Sequence, residues 1–283
     1  MNKTSTAIVT VIAVVALVIS GFAYSRSGGM QGTATGDSLA RILNTKVMKV
    51  CYAVWPPAVI KDATTGKLSG HDIDAMELMA KNAGVNIEYH ETTFGDMVAA
   101  IQSGQCDIGT SLFVNGQRSA VVAFSTPVLY SGLSGLVRKG DTRFKSVADI
   151  NQKGVKVATA TGEAGDIFAK ANLMNAQITP IDVESSDLSR FLLEVTSGRA
   201  DIGIADANTI RLFAAAHPET VDAFATNPFD ASPDGYPMRL GDNSLIIFVN
   251  NSLLTMQVNG TWSAFEKKYD AHWLHEVKQY EIK

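Results

Sequence analysis

Between Asp107 and Arg138 the chain carries one charged side chain, Arg118, inside "GTSLFVNGQRSAVVAFSTPVLYSG". A guanidinium needs water or a counter-charge, because a buried unpaired ion costs several kcal/mol. Arg118 is therefore either a solvated residue of the turn-like "NGQR" or a grip for an anion outside this chain. Asp206 is the second group of interest, where strand-like "DIGIAD" meets helix-like "ANTIRLFAAAH". A carboxylate there caps a helix, and it can also answer a cation.

Other chemistry finds less support. There is no G-x-S-x-G elbow and no phosphate loop ending in G-K-[ST]. His272, His275 and Glu276 supply three donors without a fourth ligand, so a C-terminal surface helix is the better account. No metal and no cofactor are expected. Cys51 and Cys106 are the only cysteines. An oxidising compartment permits a disulfide, but free buried thiols packed as small hydrophobes are the expectation.

These residues need elements to position them, and strand-like and helix-like patterns alternate along the chain. "VMKVCYAV" reads as a buried strand, "DIDAMELMAKNAG" as a helix with Asp72 as its cap and Gly84 as its stop, and "VNIEYHE" as a strand. "GDMVAAIQSG" is helical again and "CDIGTSL" is a strand, which is a parallel α/β pattern. An internal echo follows: "SGQCDIG" (103–109) returns as "SGRADIG" (197–203), each preceded by a segment that reads as an amphipathic helix, "MVAAIQ" and "LSRFLLEVT". Gly104 and Gly198 suit left-handed helix stops, and Asp107 and Asp201 can accept from backbone donors as each strand begins. Two related α/β lobes are inferred. Ligands of open α/β sheets sit beyond the carboxyl ends of the strands. Those ends, "GTSL" (109–112) and "IADA" (204–207), put Thr110 and Ser111 opposite Asp206 across a cleft.

The composition fits this scale: 283 residues, 46% hydrophobic and 18% charged, suit one large domain or two modest ones. A net charge of −4 without a Lys/Arg cluster argues against a nucleic-acid partner. Lys3 precedes "AIVTVIAVVALVISGFAY", and no charge appears before Arg26. Residues 1–23 read as a signal peptide cut after Ala23, with an uncleaved membrane anchor as the rival. No cysteine near its end supports a lipid anchor. Residues 24–38 are Gly/Ser/Thr-rich and read as a flexible spacer. Either account places the remainder outside the cytoplasm.

Against this background "KVCYAVWPPAVIKDATTGKLSGHDIDAMELMAKNAGV", "IQSGQCDIG", "FSTPVLYSG", "SVADINQKGVKVA" and "NGTWSAFEKKY" occur in an order that resembles a known family. It is the extracellular (periplasmic) solute-binding proteins of polar amino-acid ABC importers, and the resemblance runs from about Ser38 to the last helix. It implies a two-lobe periplasmic-binding-protein-like fold of type II, each lobe a mostly parallel sheet flanked by helices, joined by two hinge crossovers. Lobe 1 would be 39–130 plus 235–283, and lobe 2 would be 131–234. Arg118 falls on the family arginine for a ligand's α-carboxylate, with Thr110 and Ser111 at hydroxyl positions beside it. Trp55 and Phe94 fall on side-chain-pocket positions, and Asp206 on the carboxylate for the α-ammonium. Thr161, Gly162, Glu163 and Ala164 occupy a segment where the family commonly has Gly followed by Thr or Ser. Phe113 replaces a frequent small residue, and His71 the usual Phe. The backbone donors at Gly162–Ala164 can still hold a carboxylate, while Glu163 adds a negative charge.

The physical case agrees with the resemblance. A zwitterion removed from water needs both charges matched, and a guanidinium fork suits a carboxylate. With Arg118 and Asp206 in opposite lobes, a ligand that bridges them makes closure favourable. The expected function is capture of an amino acid or similar small carboxylate by a monomer, in the periplasm, for an inner-membrane ABC permease. Trp55, Phe94 and Phe113 favour apolar ligand character, whereas Glu163 favours a cation. A second resemblance, in "FAKANL", "AHPE" and "NPFD", is to periplasmic cyclohexadienyl dehydratases of the same fold. Those enzymes carry a catalytic Glu where this chain has Thr209, which is no carboxylic proton donor. No enzymatic activity is therefore expected. A membrane-anchored sensor is the third alternative, tied to an uncleaved N-terminus.

Overall fold

A computed structural model describes residues 37–184, 187 and 189–271, which belong to one compact unit. The expected signal peptide or anchor, nearly all of the spacer, and the His272/His275/Glu276 group lie outside the described residues. Among the described residues no helix is long and apolar enough to cross a membrane, and no cluster of metal-ligating side chains occurs.

Two sheets form two lobes. The first runs in the order Asn86–Glu91, Val47–Tyr52, Ile108–Gly109, Pro237–Arg239, Val122–Phe124. Its first three strands are parallel, and the last two join antiparallel. The second runs Gln177–Ile181, Lys156–Ala160, Ile202–Asp206, Leu129–Arg138, Phe229–Gly235, Leu112–Phe113. Again the first three strands are parallel, and the crossover strands Leu129–Arg138 and Phe229–Gly235 add to them antiparallel. The chain passes between the sheets on those two strands, which pair with each other at Tyr130↔Pro233 and Leu129↔Asp234. Each sheet has its own apolar core, around Ile108, Met238 and Tyr236 in one lobe and Val157, Ile202 and Leu133 in the other. Helices Asn243–Val258 and Thr261–Lys268 pack back onto the first lobe through Leu245, Val249 and Trp262.

The echoed segments are built alike. Gly104 and Gly198 end their helices at φ 77° and 74°. Asp107 Oδ2 accepts from Lys49 N at 2.9 Å, and Asp201 Oδ2 accepts from Lys156 N at 2.9 Å. Each carboxylate thus ties the start of one strand to its parallel neighbour. "LSRFLLEVT" is not one helix, however, but a 3-10 turn, Arg190–Leu192, running into Leu193–Thr196.

Two expectations are corrected. Cys51 and Cys106 form a disulfide, with Cα atoms 5.6 Å apart. Cys106 lies in the turn between helix Phe94–Ser103 and strand Ile108–Gly109, whose parallel neighbour carries Cys51, and the two thiols come inside the reach of a bridge. Asp72 is not the cap of its helix. The helix is His71–Ala83 and Gly70 precedes it, so Asp72 lies in its first turn, fully buried. There Asp72 accepts from Ser111 N at 2.8 Å and from Tyr236 OH at 3.1 Å. His71 sits beside it, with Nδ1 3.0 Å from Asp72 Oδ1, and packs edge-on against Trp262. A buried carboxylate thereby fixes the strand end at Ser111 to the returning crossover at Tyr236.

Candidate functional site

The carboxyl ends of both sheets border a cavity between the lobes. The first lobe contributes Trp55, Phe94, Leu112, Phe113 and Arg118 to its wall. The second contributes Ala160, Glu163, Ala164, Gly165, Phe191, Ile204, Asp206 and Thr209, and the crossover strands contribute Ser131 and Asp234. Local structure aims the key side chains. Thr93 caps helix Phe94–Ser103 by accepting from Asp96 N at 3.1 Å, which leaves Phe94 on its first turn beside Trp55. The two rings meet edge to face at 5.8 Å.

Arg118 lies in a short helix, Gly116–Ser119, capped by Asn115, whose Oδ1 accepts from Arg118 N at 2.9 Å. "NGQR" is therefore a turn, but a buried one, with Arg118 only 7% exposed. The solvated reading of this arginine is excluded. Nη1 donates to Phe113 O at 2.9 Å, and Nη2 donates across the cleft to Gly162 O at 3.0 Å. A guanidinium has five N–H donors and stays protonated in proteins, so donors remain after these two bonds. Burial works against its charge, while Glu163 and Asp234 support it.

Three carboxyl groups line the same cavity as that guanidinium, Asp206, Asp234 and Glu163. Asp206 closes strand Ile202–Asp206 and caps helix Ala207–Ala216, with Oδ1 accepting from Thr209 N at 2.9 Å. Trp55, from the other lobe, favours its charged form, yet burial still raises its pKa. Asp234 accepts from Ser131 Oγ inside the crossover. Burial, reinforced by Asp206 and Asp72, pushes its carboxyl up to about 7. Glu163 precedes helix Ala164–Asn172, and its Oε1 is sealed from solvent with no hydrogen-bond partner. Burial pushes it up to about 8, with Arg118 opposing and Asp206 and Asp166 adding to the rise. Desolvation disfavours the charged form of an acid, which is why all three shift upward.

The loop carrying Glu163 is held by Asp166, which accepts from Gly162 N at 2.9 Å, Thr159 Oγ1 at 3.0 Å and Lys170 Nζ at 2.7 Å. Gly162 needs its positive φ of 75°, and a Cβ there would stand 3.1 Å from Gly95 Cα in the opposite lobe. The lobes are that close at the cleft mouth. Gly165 lets its helix touch strand Ile202–Asp206, since a Cβ there would meet Ile204 O at 2.3 Å.

Of the residues singled out in the sequence, Trp55, Phe94, Phe113, Arg118, Glu163, Ala164 and Asp206 border one cavity. Gly162 reaches it through its carbonyl contact with Arg118, and Thr161 is exposed at the rim. Thr110 and Ser111 lie behind the wall, each 1% exposed, with hydroxyl oxygens that have no hydrogen-bond partner. Sequence reasoning missed Asp234, Ser131 and Phe191 as wall residues and Asp166 as the loop's anchor. "SPDGYP" signals a turn around Asp234 and nothing of its burial, so only an acid at a lobe crossing was available as a hint.

The profile of bacterial extracellular solute-binding proteins, family 3, matches residues 48–272. A probable amino-acid ABC transporter-binding protein of Haemophilus influenzae is 28% identical over 80% of this chain and 85% of its own length. The cyclohexadienyl dehydratase of Pseudomonas aeruginosa is 26% identical over 72% of this chain and 75% of its own. Among solved structures, the ancestral amino acid-binding protein AncCDT-1, a precursor of cyclohexadienyl dehydratase, superposes with a TM-score of 0.72. It is 30% identical and covers 83% of this chain and 99% of its own.

Proposed function

The chain belongs to the bacterial extracellular solute-binding proteins of family 3, and on that premise we propose that it captures an α-amino acid for an inner-membrane ABC permease. The observation that carries this reading is the placement, on the wall of one cavity, of buried Arg118 from one lobe and half-buried Asp206 from the other. Arg118 receives the α-carboxylate through donors it has not yet used, aided by the backbone amides that open helix Ala164–Asn172. Asp206 receives the α-ammonium. Trp55, Phe94 and Phe113 cover the side chain, while Thr110 and Ser111, expected as ligand contacts, stand behind that wall. A ligand bound to both lobes stabilises the closed arrangement, with the crossovers Leu129–Arg138 and Phe229–Gly235 as the hinge. The protein acts as a monomer in the periplasm.

A thermal-shift screen over the protein amino acids and small carboxylates, followed by calorimetry on the hits, tests this. At least one amino acid should raise Tm, and Arg118→Ala should weaken its binding by about a hundredfold or more. Two charge-assisted hydrogen bonds at roughly 1.5–3 kcal/mol each set that scale. A hit that binds Arg118→Ala as tightly as the native protein would remove Arg118 from the ligand grip.

The dehydratase reading keeps one supporting feature, a Glu163 carboxyl on the cavity wall that burial pushes up to about 8. Thr209 at the position of the enzyme's acid speaks against it, so we assign no enzymatic activity. Release of phenylpyruvate from prephenate by the purified protein would reverse that assignment.

A further inference from the structure

Glu163 is not required to hold a zwitterion. In the proposed grip Arg118 and Asp206 already answer both ends of an amino acid. Of the three carboxyl groups on the cavity wall, Asp206 and Asp234 have donors in the fold: Thr209 N for one and Ser131 Oγ for the other. Glu163 Oε1 has none. The nearby guanidinium of Arg118 makes its hydrogen bonds in the fold to the carbonyls of Phe113 and Gly162, not to Glu163. An acid buried without a partner costs stability that a fold seldom tolerates without use. Glu163 also stands among rings: Trp55, Phe94, Phe113 and Phe191 border the same cavity. Aromatic faces attract cations and pack against the apolar stems that carry them.

We infer that this site selects an amino acid whose side chain is itself a cation, an ammonium or guanidinium on an apolar stem, and that Glu163 is the residue that selects it. The inference rests on the reading of the cavity as an amino-acid site. It adds that the third charge of the ligand is answered by the carboxyl oxygen the fold leaves unpaired. A neutral ligand would leave Glu163 Oε1 without a hydrogen-bond donor, so discrimination comes from penalising the neutral side chain as well as from attracting the charged one.

Isosteric pairs test this directly by calorimetry on the full mature protein: arginine against citrulline, and lysine against norleucine. At least one cationic member should bind about ten- to a hundredfold more tightly than its neutral isostere, the worth of one charge-assisted hydrogen bond. In Glu163→Gln that ratio should fall to within about threefold, with affinity for the neutral member unchanged or improved. The retained neutral binding shows that the variant is folded. If the native protein binds neutral amino acids and shows no cationic preference in either pair, the inference fails and the amino-acid reading stands. A preference that survives in Glu163→Gln also overturns it. If no amino acid binds at all, both fall together.

Discussion

Arg118 owes its isolation along the sequence to its surroundings in space: two backbone carbonyls, four aromatic rings on the cavity wall and three carboxyl groups contributed by distant segments. Those acids have a consequence for stability that is read at single residues. Glu163 moves from 4.5 to about 8 and Asp234 from 3.8 to about 7 on folding. Between the unfolded and folded values the native state holds protons that the unfolded chain has released. Stability therefore falls as pH rises through this window. The carboxyls held below their usual range, such as Asp62, Asp141 and Asp149, act in the opposite direction and only at lower pH. Tm of the ligand-free protein should drop from pH 5 to pH 8.5, and the drop should be smaller in Glu163→Gln. Parallel native and variant curves would show that Glu163 is ionised in the folded state.

At the scale of elements, the first sheet is fastened twice between Val47–Tyr52 and Ile108–Gly109: by Asp107 on Lys49 N and by the Cys51–Cys106 bridge. The second sheet repeats the aspartate fastening with Asp201, but position 200, which matches Cys106, is Ala, so the bridge is private to the first lobe. The bridge closes a loop with a sequence separation of 55, and a cross-link of this kind stabilises by about 2–4 kcal/mol, chiefly by constraining the unfolded chain. Reduction, or replacement of both cysteines by alanine, should lower the denaturant midpoint accordingly. Ligand affinity should stay within about twofold, because both cysteines lie in the core behind the site. Loss of affinity before loss of fold would mean that the bridge positions the Thr110–Ser111 strand end.

For the molecule as a whole, direct hydrogen bonds link the two lobes. Arg118 donates to Gly162 O at 3.0 Å, and Asn208 Nδ2 donates to Pro56 O at 2.6 Å. These bonds cross the cleft and bias the hinge towards closure. A ligand that meets a partly closed population pays less to complete it. Asn208→Ala removes one bridge outside the ligand grip, worth roughly 0.5–1.5 kcal/mol. Solution scattering of the ligand-free variant should show a larger radius of gyration, and ligand affinity should weaken about two- to tenfold through faster dissociation. An unchanged radius together with unchanged affinity would place closure under ligand control alone.

The sequence by itself determined what local pattern and order can carry: the alternation of strands and helices, the echo at 103–109 and 197–203 that marks two lobes, and the family's ordered blocks. It also marked Arg118, through the absence of any other charge around it, and Asp206, through its place between a strand and a helix. Tertiary structure decided what depends on register and burial. Cys51 pairs with Cys106 because the turn before strand Ile108–Gly109 packs against the strand that carries Cys51, a meeting that periodicity does not encode. Asp72 looked like a helix cap and became a buried tie between Ser111 and Tyr236. Most of all, residues 163, 206 and 234 lie far apart along the chain, and only the meeting of two lobes and a crossover strand gathers their carboxyls around one cavity. Desolvation is a property of that enclosure, so no single stretch of sequence could have announced it.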